Sequence, residues 1–175
     1  MIANTNFFGV DVEFPAIPPE MIPGNVFVLR KILAGQRALR LFYDRLEDCL
    51  GGEAQFLARL MHRDWERHFA EILDGAEALL KTLGSGEKED DVLPTPEQIE
   101  KIVALLADAT PAKVAEVVHA FVLKAFLASQ LVPWFSETRE VFECFKMCVE
   151  AEDQHMATLD LFVDLLAEKR VETKV

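Results

Sequence analysis

The chain has 175 residues, of which 51% are hydrophobic, so it is long enough to bury the core of one domain and needs no second domain. Its 18 basic and 30 acidic residues give a net charge of −12, which excludes a basic surface for nucleic acid or anionic lipid and favours cations as partners. Neither a signal peptide nor a membrane span is indicated, so we expect a cytoplasmic protein with no membrane partner.

Residues 1–25 are expected to form an extended N-terminal arm. Four prolines stand there among large apolar side chains, at Pro15, Pro18, Pro19 and Pro23. Prolines at this density exclude a helix and favour extended backbone. Because the arm is apolar, we expect it to lie along the domain or to reach a neighbouring subunit, and we expect a homo-oligomer.

Residues 26–175 are expected to form a single helical domain. Asn25 is a predicted N-cap for a first helix that ends near Leu50, before Gly51-Gly52. Apolar residues recur at helical spacing along it, and Gln36 and Tyr43 lie on the same seam. A second helix is predicted over 53–83, with Trp65 and His68 on its apolar seam.

The second half of the chain predicts a short helix and two longer ones. Thr95 and Gln98 are placed for a capping box at the start of a short helix over 96–108. The apolar segment 112–131 predicts the most buried helix, and a last helix should run from a cap at Ser136 to Arg170. The long link after the second helix predicts a crossover that places the second and third long helices parallel.

The most informative pattern lies on the last helix. Glu152 and His155 continue an apolar seam whose other members are Val141, Phe145, Cys148, Leu159, Phe162 and Leu166. Residues three or four apart share one helix face, so both polar side chains should point into the core. A buried carboxylate is costly unless a cation or a hydrogen-bonding group meets it. The pattern therefore predicts either a metal site or a buried polar network.

Segment 149–160, VEAEDQHMATLD, resembles the final bundle helix of ferritin-like proteins, and especially of bacterioferritins. The pattern of that family is Asp-Glu-Glu-Glu-His-Ile-Asp-x-Leu-Glu, in which the Glu and His of Glu-x-x-His bind iron. The resemblance implies an all-α, four-helix bundle of ferritin-like topology. It also implies an iron or manganese ion as cofactor, with Glu152 and His155 as ligands.

The rest of the implied ligand set departs from the family. Such centres take a Glu from each of two helices and Glu-x-x-His from the other two. The first helix offers Gln36 in place of a Glu, and on the second helix His62 matches the ligand His while Arg59 stands where its Glu belongs. Further candidate metal ligands are His119, Glu116 and Glu66. Because so few carboxylates are available, we expect at most one metal per chain and no fast ferroxidase activity.

The residues also allow readings without this centre. Arg59, His62 and Glu66 share a helix face that could simply be solvated, and His68 and His119 could be satisfied core histidines. Gln36 could donate to Glu152 or His155 and replace the metal by a polar network. The alternative function is then a metal-free ferritin-like bundle that serves as an interaction or assembly module.

Two further alternatives rest on spacing alone. The pairs His62-x-x-x-Glu66 and His155-x-x-x-x-Asp160 are similar to hemerythrin spacings, although the His-x-x-x-His of that family is absent. Cys144 and Cys148 lie four apart and could form a redox or soft-metal site with His155. Their preferred interpretation is packing as small hydrophobic residues.

Overall fold

The computed structural model describes residues 3–14, 24–83, 94–129 and 138–172. The described elements are β1 (Ala3–Phe7), β2 (Val10–Phe14), α1 (Asn25–Cys49), α2 (Gly52–Thr82), α3 (Pro96–Ala104), α4 (Pro111–Ser129) and α5 (Arg139–Glu172). The prediction of an all-α protein is confirmed, with one short β-hairpin added to it. No helix of the described ranges is long and apolar enough to cross a membrane.

The hairpin occupies the first part of the predicted arm. Strands β1 and β2 pair antiparallel with Ala3 opposite Phe14, and the turn residues Phe8 and Gly9 have φ of 51° and 88°. Positive φ at both turn positions matches the twist of the two strands. Phe7 is buried and its ring meets that of Phe121 on α4 at 6.0 Å between centroids. This part of the arm therefore lies along the domain, and residues 15–23 lie outside the described residues.

Helices α1 and α2 form an antiparallel pair joined at Leu50-Gly51. The predicted cap at Asn25 is wrong, because Gly24 is the N-cap residue and no side chain caps this end. Asn25 is the first helical residue, and its side-chain amide donates to the hydroxyl of Thr138 at 3.3 Å. The glycine break is confirmed, with Gly52 in the left-handed region at φ 56° as α2 begins.

Helix α3 packs against the C-terminal end of α1. The predicted capping box of Thr95 and Gln98 is confirmed, since each side chain accepts from the other residue's backbone N–H. The Cys49 thiol on α1 donates to the Val103 carbonyl at 3.8 Å. Glu77, near the end of α2, pairs with Arg37 at the middle of α1 at 3.2 Å. From there α2 continues toward the N-terminal half of α1, whereas Val103 of α3 contacts the C-terminal end of α1.

Contacts along α1 give the directions of the other helices. From the N-terminal end of α1 toward its C-terminal end, Asn25 contacts Thr138 and then Gln36 contacts Glu152. Helix α5 therefore runs in the same direction as α1. Helix α4 follows α3 at the C-terminal end of α1, and Phe121 of α4 stacks on Phe42 at 4.2 Å. Helix α4 therefore runs antiparallel to α1, as α2 does, and α2 and α4 are parallel to each other.

Candidate functional site

Glu152 and His155 both lie in the core, as their seam spacing predicts. Glu152 is 4% exposed and His155 is fully buried, and the apolar seam members Val141, Phe145 and Leu159 are buried with them. The burial of this pair is therefore confirmed. What surrounds the two side chains decides whether they can hold a metal ion.

Gln36 of α1 joins Glu152 to the second helix. Its amide nitrogen donates to Glu152 Oε1 at 3.1 Å, and its amide oxygen accepts from the indole N–H of Trp65 at 2.9 Å. Gln36 is 2% exposed, so both bonds are shielded from water. The predicted hydrogen bond from Gln36 to Glu152 is confirmed, and one amide ties together three helices.

The Cys148 thiol lies one helical turn before Glu152. Its sulfur accepts from the Gln36 amide at 3.7 Å and donates to Glu152 Oε1 at 3.8 Å. Burial, together with the nearby Glu152 charge, raises the pKa of Cys148 well above its ordinary value. All three cysteines are free, and the raised pKa keeps the Cys148 thiol protonated in the core at neutral pH.

His155 has hydrogen-bonding partners at both ring nitrogens. Its Nε2 lies 2.6 Å from the Tyr43 hydroxyl, and its Nδ1 lies 2.7 Å from Asp64 Oδ2. A carboxylate can only accept, so Asp64 takes the Nδ1–H, and the Tyr43 hydroxyl meets the other ring nitrogen, Nε2. Tyr43, His155 and Asp64 thus form a connected series of side chains from α1, α5 and α2.

The surroundings of Tyr43 and Asp64 shift the pKa values of these two side chains in opposite directions. Burial, with the Asp64 charge beside it, raises the pKa of Tyr43 well above its ordinary value. Burial acts to raise the pKa of Asp64 as well, but the hydrogen bond and charge of His155, with the charge of His68, outweigh it and hold that pKa below its usual range. Tyr43 therefore keeps its proton, and Asp64 is ionised and accepts.

The series of polar side chains continues from Asp64 toward the surface. His68 Nε2 lies 3.5 Å from Asp64 Oδ1, and His68 is only partly buried. It borders a cleft of about 190 Å³ between α2 and α5, whose lining includes Arg67, Ile72, Met147 and Gln154. The polar cluster thus extends from the fully buried Tyr43 to the edge of the bundle.

His62 lies near this cluster, but its Nδ1 points toward α1. Its Nδ1 lies 2.6 Å from Glu47 Oε1, and its ring stacks on Tyr43 with 5.4 Å between centroids. Arg59 reaches the other oxygen of Glu47 at 3.3 Å and is half-exposed. The predicted possibility that Arg59 turns inward to pair with Glu152 is therefore wrong.

The candidates on α4 pair elsewhere. His119 Nε2 lies 2.6 Å from Asp160 Oδ1 of α5, and Glu116 meets Lys113 at 3.2 Å on the surface. Asp160 is thus the partner of His119 and not of His155, which removes the spacing argument for a hemerythrin-like pair. Glu66 is half-exposed, with its Oε1 3.8 Å from His62 Nε2.

These residues do not fit the di-iron group that the resemblance implies. Among the described contacts from neighbouring helices, Glu152 meets the Gln36 amide, and His155 meets the Tyr43 phenol and the Asp64 carboxylate. Two iron ions need about four carboxylates and two histidines with free lone pairs. In the described part of the chain no three His, Cys, Asp or Glu side chains stand together in ligand positions.

Sequence reasoning did not assign a role to Asp64. Trp65 lies on the predicted apolar seam of α2, and Asp64 precedes it, one position off that seam. Helical periodicity predicts that such a residue lies at the edge of the core. Only the packing of α5 against α2 shows that Asp64 faces His155. An aspartate beside a seam tryptophan was the available signal.

Comparisons of the chain with protein-family models, with curated proteins and with solved structures find no match.

Proposed function

We propose that the protein is a ferritin-like helical bundle whose centre is held by hydrogen bonds between side chains instead of by metal ions, and that it serves as an interaction or assembly module. The observation that carries this proposal is the occupation of both nitrogens of His155 by Tyr43 and Asp64. An imidazole binds a metal through a free nitrogen lone pair, and both nitrogens of His155 already lie within hydrogen-bonding distance of a side-chain oxygen.

The directions of the helices support the ferritin-like part of the proposal. Ferritin-like bundles have one long crossover connection, which places their second and third long helices parallel. Here α2 and α4 each run antiparallel to α1, and α2 ends beside the N-terminal half of α1 while α3 contacts its C-terminal end. An up-and-down bundle would make these two helices antiparallel.

The polar cluster fixes the register in which the helices pack at the centre of the bundle. Buried hydrogen bonds are satisfied only when the helices meet in one register, because a shifted helix would leave Gln36, Glu152 or His155 without partners. The cost of an unsatisfied buried group is about 1–3 kcal/mol. A network that spans α1, α2 and α5 therefore selects a single packing of the three helices.

The second candidate function is a non-haem iron or manganese protein with a single metal at Glu152 and His155. The observation that favours it is that these two side chains are buried at consecutive positions of one seam. In that case a metal would have to displace the Tyr43 hydroxyl from His155 and the Gln36 amide from Glu152.

One variant separates the two functions. Protein and its Glu152→Ala variant are prepared without chelator, and metal content and urea unfolding are measured for both. If the centre is a hydrogen-bonded network, the variant keeps the metal content of the parent and loses about 1–3 kcal/mol, because Gln36 loses a buried partner. If the variant loses a stoichiometric metal while its stability is unchanged or higher, the proposal is wrong and Glu152 is a ligand.

A further inference from the structure

Large apolar side chains are exposed where the beginning of α2 lies beside the later part of α5. Phe56 on α2 is 64% exposed, and Leu161 and Leu165 on α5 are 57% and 47% exposed. Leu60, one helical turn after Phe56, is partly exposed. A single exposed apolar residue is ordinary, but a contiguous group of them indicates a surface that binds another molecule.

The register of α2 against α5 places these side chains next to one another. The two helices are antiparallel, and they meet where Asp64 contacts His155 at 2.7 Å. Phe56 is eight residues before Asp64, and the residue eight positions after His155 lies between Leu161 and Leu165. Because the rise per residue is the same in both helices, Phe56 is level with the two leucines.

The apolar side chains also face the same side of the helix pair. The cleft between α2 and α5 marks its outer side, and the lining of that cleft includes the exposed Arg67 and Gln154. Arg67 is eleven residues after Phe56, and Gln154 is seven before Leu161, and both spacings return a helix to the same face. The surface is called the apolar patch below, and it consists of Phe56, Leu60, Leu161 and Leu165.

Charged residues flank the apolar patch on α2 in a self-complementary order. Glu53, Phe56, Leu60 and Arg63 follow one another at spacings of three, four and three residues, so they share one helix face. Two pairs, Glu53 with Arg63 and Phe56 with Leu60, are both centred on Ala58. A second α2 that packs antiparallel about this centre therefore brings Glu53 opposite Arg63 twice and Phe56 opposite Leu60 twice.

The two charged residues are available for such pairing. Glu53 and Arg63 are both exposed, and neither forms an ion pair with another residue of the described ranges. They are ten residues apart, about 15 Å along the helix, so they cannot pair within one chain. With a net charge of −12, two copies repel each other overall, and a contact between them needs opposite charges placed against each other.

We propose that a second copy of this chain binds the apolar patch, in a twofold-symmetric dimer whose axis passes at the level of Ala58. In such a dimer the same surface serves both copies. On α5 the residue level with Ala58 is Leu161, since each is six positions from the contact between Asp64 and His155. Leu161 should therefore meet Leu161 of the second copy near the axis. This inference rests on the proposed function, because it names what the assembly module binds.

Sedimentation equilibrium of the full chain, with a chelator present, tests the dimer. We expect the parent at micromolar concentration to have twice the mass of one chain. Leu161→Lys should weaken dimerisation about 100-fold, because a cation enters the centre of the apolar contact from both copies. Phe142→Lys is the matched control, since Phe142 is exposed on the same helix but lies at its other end, and this variant should dimerise as the parent does. Circular dichroism checks that both variants fold.

Charge reversal tests the orientation of the second copy. Arg63→Glu and Glu53→Arg should each weaken the dimer about tenfold, because each variant places like charges opposite each other twice. The double variant, Glu53→Arg with Arg63→Glu, should restore the affinity of the parent, and this restoration can arise only between copies. Lys101→Glu changes the net charge as Arg63→Glu does, at an exposed position of α3, and should leave dimerisation unchanged.

Three results would overturn the inference. They are a parent that is monomeric at every concentration, equal dimerisation by Leu161→Lys and Phe142→Lys, or a double charge variant that is as weak as the single ones. A monomeric parent leaves the metal-free centre to be judged by the Glu152→Ala experiment, so the two proposals fail separately. A dimer that forms only without chelator would be held by a metal ion and would contradict both proposals.

Discussion

Replacing Gln36 with leucine tests whether one amide holds three helices in register. The substitution leaves the Trp65 indole N–H without an acceptor, which costs about 1–3 kcal/mol for a buried donor. It also removes a donor from Glu152, and a hydrogen bond to a charged group contributes about 1.5–3 kcal/mol. The added apolar surface returns about 1 kcal/mol. The expected loss in the free energy of unfolding is therefore about 1.5–5 kcal/mol.

Urea unfolding followed by circular dichroism, at neutral pH with a chelator present, measures this loss. Gln154→Leu is the matched control, since Gln154 is exposed on α5 and its replacement should change stability by no more than about 0.5 kcal/mol. In Gln36→Leu combined with Glu152→Leu the two losses should not add, with a coupling energy of about 1–3 kcal/mol. Additive losses, or a Gln36→Leu variant as stable as Gln154→Leu, would refute the network.

Three further predictions concern the same cluster. Tyr43→Phe should lower the free energy of unfolding by about 1–3 kcal/mol in the same assay, because His155 Nε2 loses its buried donor. Folding lowers the pKa of Asp64, so the stability that its carboxylate contributes is complete above its unfolded pKa of about 3.9 and is lost as pH falls through its folded pKa. The stability of Asp64→Asn should therefore depend less steeply on pH in that range, which acid unfolding measures. Folding raises the pKa of Cys148, so the stability that its thiol contributes is complete below its unfolded pKa of about 8.5 and is lost as pH rises toward its folded pKa. Cys148→Ala should therefore lose less stability than the parent in alkali. A thiol reagent at neutral pH should label Cys49 and leave Cys148 unmodified in the folded protein.

The sequence by itself determined the helices and the inward direction of their polar residues. A spacing of three and four residues places Gln36, Tyr43, Glu152 and His155 on apolar seams, and all four are buried. The glycine break and the Thr95 capping box also depend on neighbours in the chain, so they could be predicted. The hairpin was not predicted, because Phe8-Gly9 lacks the usual Asn-Gly turn signal.

Only the tertiary structure decided which polar groups meet. Periodicity fixes the face on which a side chain lies, but it leaves open how far a neighbouring helix is shifted along its axis or rotated about it. Those two quantities bring Asp64 to His155, direct His62 to Glu47, and pair His119 with Asp160. A metal site requires donor atoms from different helices within a few tenths of an ångström, so packing, and not spacing along the chain, determined the fate of each candidate ligand.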